Sequence, residues 1–321
     1  MPKGRRSDIE ASVLYQAVLD KLSQAYLDQD FETIRAHVVL PFTRRTLCSE
    51  TLLETDEDLI RGASAFSRAL QGLGVNQFIR LVTDAEFLSP DYIEGHHVTH
   101  TLRNAVRVFP SYSDRFVLKR DNGCWKITEH DSALNNSKWP FDVLSFRGQD
   151  TTLRGIERQF DDVRRTAAEP FVLYQNFLDA LTITHLQNDI NAYCALCSFP
   201  YSAHCGTKDT DVISINEVQP FFGMVSEMIG KYAIDDVKRS ASRAEFISGN
   251  RICGYHTTTY KSGGKDVVDP IGSRMILERV GTKWLLKSVT NALSDECLPF
   301  EELTSTGALL TLQEIQERNR V

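Results

Sequence analysis

Apolar residues near the start of the chain recur at helical spacing, and this pattern later gives way to the alternation that is typical of strands. The first stripe comprises Tyr15, Leu19, Leu22 and Tyr26. Since these positions fall on one side of a helix with 3.6 residues per turn, the stripe predicts an amphipathic first helix. A further helix is expected across residues 57–73. From Asn76 onward, runs rich in β-branched and aromatic residues predict a meander of antiparallel strands.

Turn and cap residues mark the ends of several of these elements. Asp30 is a candidate N-cap for a short second helix, and Pro41 is expected to end that helix because proline lacks a backbone N–H. The pair Asn122 and Gly123 predicts a tight type I′ hairpin, since both residues tolerate the positive φ angles that such a turn requires. The run "KSGGKD", residues 261–266, predicts another hairpin between two strands.

The whole pattern returns 159 residues further along the chain. The segment "VLYQAVLDKL", residues 13–22, reappears as "VLYQNFLDAL", residues 172–181. The same offset maps Gly95 onto Gly254, and no gap is needed. A repeat of this length exceeds the solenoid range of about 20 to 50 residues, so each copy is expected to form a self-contained domain.

We therefore expect two domains, residues 1–165 and residues 166–321. Each copy reads as helices first, then an antiparallel sheet, then a short terminal helix. Helices segregated from an antiparallel sheet in this way are typical of the α+β class.

The order of elements resembles the nuclear transport factor two-like superfamily, which includes SnoaL-like polyketide cyclases and ketosteroid isomerases. The resemblance covers nearly all of both copies and includes a glycine-and-tryptophan hairpin, "DNGCWKI" at residues 121–127 and "VGTKWLL" at residues 280–286. It implies two cone-shaped domains, each with a curved sheet wrapped around the first helix and an apolar cavity. It also implies that two such sheets pair, so we expect the domains to form an intramolecular pseudo-dimer, with further homo-oligomerisation left open.

Composition narrows the partners and the compartment. The chain has 321 residues, of which 42% are hydrophobic and 25% are charged, as is ordinary for a globular protein. A formal net charge of −7 and scattered basic clusters argue against a nucleic-acid partner. Without an apolar run of about 18 residues we expect no membrane partner, and without an apolar signal region we expect a cytoplasmic protein. Seven irregularly spaced cysteines indicate reduced thiols rather than a disulfide framework.

Two histidines related by the repeat are the candidate catalytic residues. His97 and His256 lie on predicted strands, on the face that they share with Thr99 and Thr258, and we expect that face to line the cavity. An imidazole there is suited to proton transfer near neutral pH, and the two threonines are candidate ligand-binding residues. The alternative is a half-buried histidine that is hydrogen-bonded for structural reasons.

Two further repeated pairs are candidate ligand-binding residues. They are Tyr15 and Tyr174 on the first helix of each copy, and Arg115 and Arg274 on a strand. A hydroxyl can orient a ligand carbonyl, and a guanidinium can clamp a carboxylate in a bidentate fashion. The alternative for the tyrosines is a core position with a satisfied hydroxyl, and for the arginines an ion pair with Glu86 or Glu245.

No metal and no cofactor are expected. The run "CALC", residues 194–197, has the spacing of a zinc site, but its counterpart in the first copy has no cysteine and the segment is typical of an apolar helix. No glycine-rich phosphate loop, nucleophile elbow or zinc-protease motif occurs in the sequence.

Three functions fit these expectations, because this fold hosts enzymes as well as binding proteins. The favoured function is binding of a small, mainly apolar organic molecule in one or both cavities. The alternative is an isomerase, dehydratase or cyclase-type enzyme that uses His97 or His256 for proton transfer. The third is an interaction module whose cavities are filled by its own side chains.

Overall fold

The computed structural model describes residues 4–46, 50–108, 110–133, 166–205, 208–267 and 270–291. The chain forms two compact units, Met1–Glu169 and Pro170–Val321, which are called the first and the second unit. Their division lies a few residues beyond the boundary expected at residue 165. Pro170 begins the first helix of the second unit, where its fixed φ angle suits the first helical turn.

The first unit contains three helices and seven strands within its described residues. The helices are α1 Gly4–Asp28, α2 Phe31–Ala36 and α3 Asp56–Gly72. The strands are β1 Val38–Arg45, β2 Glu50–Leu53, β3 Gln77–Ser89, β4 Tyr92–Arg103, β5 Val106–Arg107, β6 Tyr112–Asp121 and β7 Cys124–Ser132.

The second unit repeats this order. Its helices are α4 Pro170–Leu186, α5 Ile190–Ala195 and α6 Ile215–Lys231. Its strands are β8 Cys197–Cys205, β9 Lys208–Val212, β10 Asp236–Ser248, β11 Arg251–Ser262, β12 Lys265–Asp266, β13 Ile271–Val280 and β14 Lys283–Asn291. Apart from the first helix, each element follows from its counterpart by the offset of the repeat to within one residue.

Both units have the expected α+β architecture with a curved sheet, but the sheet is not a simple meander. The strand order in the first unit is β2-β1-β7-β6-β4-β3, and β1 runs parallel to β7. The second unit has the equivalent order, β9-β8-β14-β13-β11-β10. The expectation that the helices come first and the strands begin at residue 76 was therefore wrong, because β1 and β2 precede α3 in the chain.

Pro41 does not end the second helix, as the sequence pattern suggested. That helix ends at Ala36, and Pro41 lies inside β1. The other local signals are confirmed. Asp30 caps α2 by accepting a hydrogen bond from the backbone N–H of Thr33, and the hairpin between β6 and β7 has positive φ angles at both central residues.

The strand registers confirm the duplication more sharply than the sequence identities do. Gly95 lies opposite Phe116 in the first sheet, and their counterparts Gly254 and Met275 lie opposite each other in the second. Because a shift by one residue would turn every side chain to the other face, equal registers place equivalent residues at equivalent points of both sheets.

The first helix of each unit packs on its sheet and carries much of the core. In the α1 stripe that the sequence pattern indicates, Tyr15, Leu19 and Leu22 are buried and Tyr26 is partly buried. The terminal helix expected in each copy lies outside the described residues, and the pseudo-dimer stays a prediction. In the described part of the chain, every helix is too short or too polar to cross a membrane.

Candidate functional site

A tyrosine hydroxyl inserted into the sheet fastens the first helix of each unit. The Tyr15 hydroxyl donates a hydrogen bond to the carbonyl oxygen of Gly95 at 2.8 Å and accepts one from the N–H of Phe116 at 3.0 Å. It also lies 2.9 Å from Nδ1 of His97. Since Gly95 and Phe116 face each other on neighbouring strands, the hydroxyl bridges the two strands at this point.

The second unit contains the same fastening. The Tyr174 hydroxyl donates to the carbonyl oxygen of Gly254 at 3.1 Å and lies 2.7 Å from Nδ1 of His256. A Cβ atom on Gly254 would lie 2.4 Å from the tyrosine ring, and one on Gly95 would lie 2.6 Å from Tyr15. Glycine is therefore needed at both positions for close approach of the ring to the strand.

Both repeated histidines are buried beside these tyrosine hydroxyls. His97 is 1% exposed, and its Nδ1 is engaged by the Tyr15 hydroxyl. Burial lowers the pKa of His97 well below its ordinary value, and the Asp114 carboxylate opposes this only in part. Burial likewise lowers the pKa of His256 to about 4, with a contribution from the charge of Arg239. Both imidazoles are therefore neutral at physiological pH.

The strand register builds a row of side chains across the inner face of the first sheet, which we call the cavity row. Its members are Thr51 on β2, Arg44 on β1, His130 on β7 and Phe116 on β6. Each lies directly opposite the next, and all four line a cavity of about 90 Å³. A second row beside it brings His97, Asp114 and Ser132 together.

Asp114 is a buried carboxylate held by several donors. It accepts hydrogen bonds from the Thr99 hydroxyl at 2.7 Å and from Nε2 of His130 at 3.3 Å. Nε2 of His97 lies 3.6 Å from the same carboxylate and has no hydrogen-bond partner among the residues that the structure describes. Burial by itself would raise the pKa of Asp114, but the His130 hydrogen bond, the two histidines and Ser132 outweigh it and lower the pKa to about 2.

The Asp114 carboxylate orients His130 at the cavity wall. With Nε2 held by Asp114, Nδ1 is the ring nitrogen that is left to meet a ligand. The His130 side chain keeps 22% of its surface exposed. Burial lowers the pKa of His130, and the hydrogen bond and charge of Asp114 oppose this shift, so the ring is a neutral base at physiological pH.

The rest of the cavity wall is mainly apolar. It is contributed by Leu22 and Tyr26 of α1, Val38 and Phe42 of β1, Leu53 of β2, Leu59, Gly62, Ala63 and Phe66 of α3, and Ile127 of β7. Arg80 of β3 completes the lining together with the cavity row. An apolar space with a few convergent polar groups is the usual form of a small-molecule site.

The corresponding region of the second unit is different. The cavity row is replaced by Thr210, Ala203, Val289 and Met275, which occupy the equivalent registers. Ser273 replaces Asp114, and Phe222 of α6 stands where the first unit has Ala63. Phe222 is 3% exposed and stacks on His185 with ring centroids 5.1 Å apart. Its side chain therefore fills space that Ala63 leaves open in the first unit.

The predicted ligand-binding residues are divided between the inner face and other parts of each unit. Thr99 is buried and donates to Asp114, and Thr258 is buried at the equivalent place. Arg115 forms ion pairs with Glu94 and with Asp131 at 2.7 Å, rather than with Glu86 as the sequence suggested.

Arg274 has a different contact in the second unit. Its guanidinium donates to the Thr290 hydroxyl at 3.4 Å, and Glu245 pairs with Arg243 at 2.8 Å. Neither Arg115 nor Arg274 is a member of the cavity wall, so the structure does not bring these arginines together with the histidines.

The cysteines of "CALC" lie at the end of α5 and the beginning of β8. Cys197 is buried and its Sγ contacts the carbonyl oxygen of Tyr193 at 3.5 Å. Burial raises the pKa of Cys197 to about 12, which suits a thiol that packs as a small apolar group. Among the described residues, no group of three or more His, Cys, Asp or Glu side chains is arranged to hold a metal ion.

Four polar residues in or directly behind the cavity wall were not predicted as site residues from the sequence. They are Arg44, Arg80, Asp114 and His130. Arg80 is repeated as Arg239, so only its burial could have drawn attention to it. The other three are replaced by Ala203, Ser273 and Val289 in the second copy. A search for charged residues that differ between the copies would have found them.

Comparisons with known proteins found similar solved structures but no family model. No protein-family model matches the chain, and no curated protein matches it. Similar solved structures include a nuclear transport factor two-like protein of unknown function from Shewanella oneidensis MR-1, which is 10% identical and has a TM-score of 0.30. The match covers 38% of this chain and 98% of that protein.

Two other solved structures are also similar to part of the chain. A nuclear transport factor two-like protein with a cystatin-like fold from Novosphingobium aromaticivorans is 12% identical, covers 38% of this chain and 79% of its own, and has a TM-score of 0.32. A protein of unknown function from Mycobacterium tuberculosis is 16% identical, covers 38% of this chain and 74% of its own, and has a TM-score of 0.31. The tandem duplication itself is confirmed by the two equivalent sheets of this chain.

Proposed function

We propose that this protein binds a small, mainly apolar organic molecule in the cavity of its first unit. The observation that carries the proposal is the cavity of about 90 Å³ behind the cavity row, with apolar walls and a few polar side chains. An engineered apolar cavity of about 150 Å³ holds a benzene molecule, so this smaller cavity suits a short branched chain or part of a single-ring molecule.

The difference between the copies supports one binding site rather than two. Ala63 borders the cavity of the first unit, whereas Phe222 is buried against His185 and Tyr193 in the second. Side chains that fill the interior are what the interaction-module alternative predicts. We apply that alternative to the second unit and the binding function to the first.

Isothermal titration calorimetry with benzyl alcohol, a neutral molecule with one ring, tests the proposal. We expect saturable binding with one site per chain, and loss of binding in the Ala63→Phe variant, in which the ring occupies the cavity. Gln71→Phe is the matched control, since it adds the same ring at an exposed position of the same helix. Binding that survives Ala63→Phe, or no binding of single-ring molecules to the parent protein, would reject the proposal.

A proton-transfer enzyme is the second candidate, and one observation favours it. Nε2 of His130 lies 3.3 Å from the ionised Asp114 carboxylate, which holds the ring in one orientation at the cavity wall. Such a pair is the arrangement that a general base needs, because the carboxylate stabilises the imidazolium that forms. The candidate base is thus His130 rather than the His97 or His256 that the sequence pointed to.

The base-catalysed ring opening of 5-nitrobenzisoxazole tests this candidate, since the reaction needs only a base in an apolar site. We expect turnover above the buffer rate that is lost in His130→Gln and retained in the control His96→Gln, which changes an equally exposed histidine outside the cavity wall. Equal rates in the parent protein and in His130→Gln would leave the protein as a binding protein only.

A further inference from the structure

We propose that the ligand of the first unit carries an anionic group, a carboxylate or an anion of similar size, held between Arg44 and Arg80. This inference rests on the proposed binding function and deepens it by naming the ligand class. Both arginines belong to the cavity wall, and they reach it from opposite parts of the sheet, β1 and β3.

Arg80 is a buried cation that aromatic rings hold in place. It is 7% exposed, and its guanidinium carbon lies 4.4 Å from the ring centroid of Phe78 and 5.4 Å from that of Tyr26. Within the described residues, no carboxylate lies within ion-pair distance of it. The rings fix the guanidinium in advance but do not neutralise it, and an unneutralised buried charge favours an anion.

Arg44 presents an unsatisfied donor at the other side of the cavity. Its Nε is buried and finds no hydrogen-bond acceptor among the residues described. A buried N–H without an acceptor costs free energy that a ligand oxygen would recover. Arg44 lies directly opposite His130 in the parallel pairing of β1 and β7, so its donor and the imidazole share one end of the cavity.

The nearby negative charge does not cancel these two cations. Asp114 is not part of the cavity wall, and its oxygens already accept from Thr99 and His130. His130 is a neutral ring at physiological pH. Two guanidinium groups therefore face the cavity and one carboxylate lies behind it, which leaves a positive site for a ligand oxygen anion.

In the second unit, the arginine equivalent to Arg80 has a different contact. Arg239, the counterpart of Arg80, donates to the Thr182 hydroxyl at 2.9 Å, and Arg44 is replaced by Ala203. In the first unit the residue equivalent to Thr182 is Ser23, whose hydroxyl is buried without a partner among described residues. The pair of cations at the cavity is thus a property of the first unit.

Calorimetric titration with benzoate and with the neutral benzyl alcohol separates the two levels of the proposal. We expect benzoate to bind at least about tenfold more tightly, as one charge-assisted hydrogen bond or more would give. Arg44→Gln and Arg80→Gln should each remove most of that preference while benzyl alcohol binding changes by less than about threefold. Urea denaturation of each variant verifies folding, and Arg44→Gln, on a partly exposed residue, is the variant that keeps the test valid if Arg80→Gln unfolds.

The matched controls are Arg68→Gln, which removes an exposed charge on α3, and Arg239→Gln, the equivalent change in the second unit. Both should bind benzoate as the parent protein does. Equal affinity for benzoate and benzyl alcohol would overturn the anion proposal and leave the binding function standing. Failure of both molecules to bind would overturn the binding function and the anion proposal with it.

Discussion

The Tyr15 hydroxyl lies 2.8 Å from the carbonyl oxygen of Gly95, at the point where it also receives the N–H of Phe116. The contact joins residues that are far apart in the chain and ties α1 to two strands at once. The same arrangement in the second unit makes it an architectural feature of the duplicated domain. Its removal should therefore affect folding rather than ligand choice.

Tyr15→Phe should destabilise the first unit by about 2 kcal/mol, because the change leaves a buried carbonyl, a buried N–H and Nδ1 of His97 without their partner. Urea denaturation followed by circular dichroism measures the loss. Tyr92→Phe removes a hydroxyl from a residue with 36% exposure and serves as the control. Equal stabilities of the two variants would contradict the structural role of the Tyr15 hydroxyl.

Gly95→Ala should destabilise the first unit by about 2 kcal/mol or more, since the new methyl group would lie within 2.8 Å of three ring atoms of Tyr15. The measurement is the midpoint of thermal unfolding. Gly249→Ala is the control, because a Cβ there meets no atom within 4 Å. A Gly95→Ala variant that unfolds at the same temperature as this control would contradict the close approach.

The depressed pKa of Asp114 predicts a specific response to acid. A carboxylate whose pKa is lower in the folded than in the unfolded state stabilises the fold above the unfolded value of about 3.9. That contribution is lost as the pH falls towards the folded value of about 2. It should amount to about 2.5 kcal/mol in the free energy of unfolding of the first unit.

Asp114→Asn removes this titration, so the free energy of unfolding of the variant should fall less between about pH 4 and about pH 2 than that of the parent protein. Urea denaturation at a series of pH values gives the slope. Asp211→Asn, a change at an exposed aspartate of the second unit, is the control. A parent-like slope in Asp114→Asn would show that Asp114 is not the group responsible.

Reciprocal changes at the interior position of α3 and α6 should have unequal effects on stability. Phe222→Ala should cost about 3 to 5 kcal/mol, because it removes a buried ring that packs on His185 and Tyr193. Ala63→Phe should cost much less, since the cavity already provides space for the ring. Equal losses in thermal denaturation would show that the first unit has no open space beside Ala63.

Local sequence signals predicted the frame of each unit because they depend on neighbouring residues. The stripe around Tyr15, the Asp30 cap and the Asn122 turn each depend on residues that are close together in the sequence. The strand β1 was missed because it contains Pro41 and finds its partner β7 only through long-range parallel pairing. Parallel pairing leaves no hairpin signal in the sequence.

The site was predicted less well because identity between the copies was taken as the guide to function. Tyr15, Gly95 and His97 recur in the second copy because the fastening of helix to sheet requires them in both units. Residues that make the cavity wall polar, such as Arg44 and His130, are replaced in the second copy. In this chain, the residues shared by the two copies maintain their common fold, and the residues that differ distinguish the cavity of the first unit.

The cavity wall is drawn largely from one continuous part of the chain. The stretch from Val38 to Phe66 supplies nine of the fifteen residues that surround it, while the Tyr15 contact with Gly95 lies outside that stretch. Exchange of this stretch for its counterpart from the second copy would therefore replace most of the cavity wall at once. It would bring in Phe222 for Ala63 and Ala203 for Arg44, so the interior of the first unit should close, while the Tyr15 contact with Gly95 still holds the helix on the sheet.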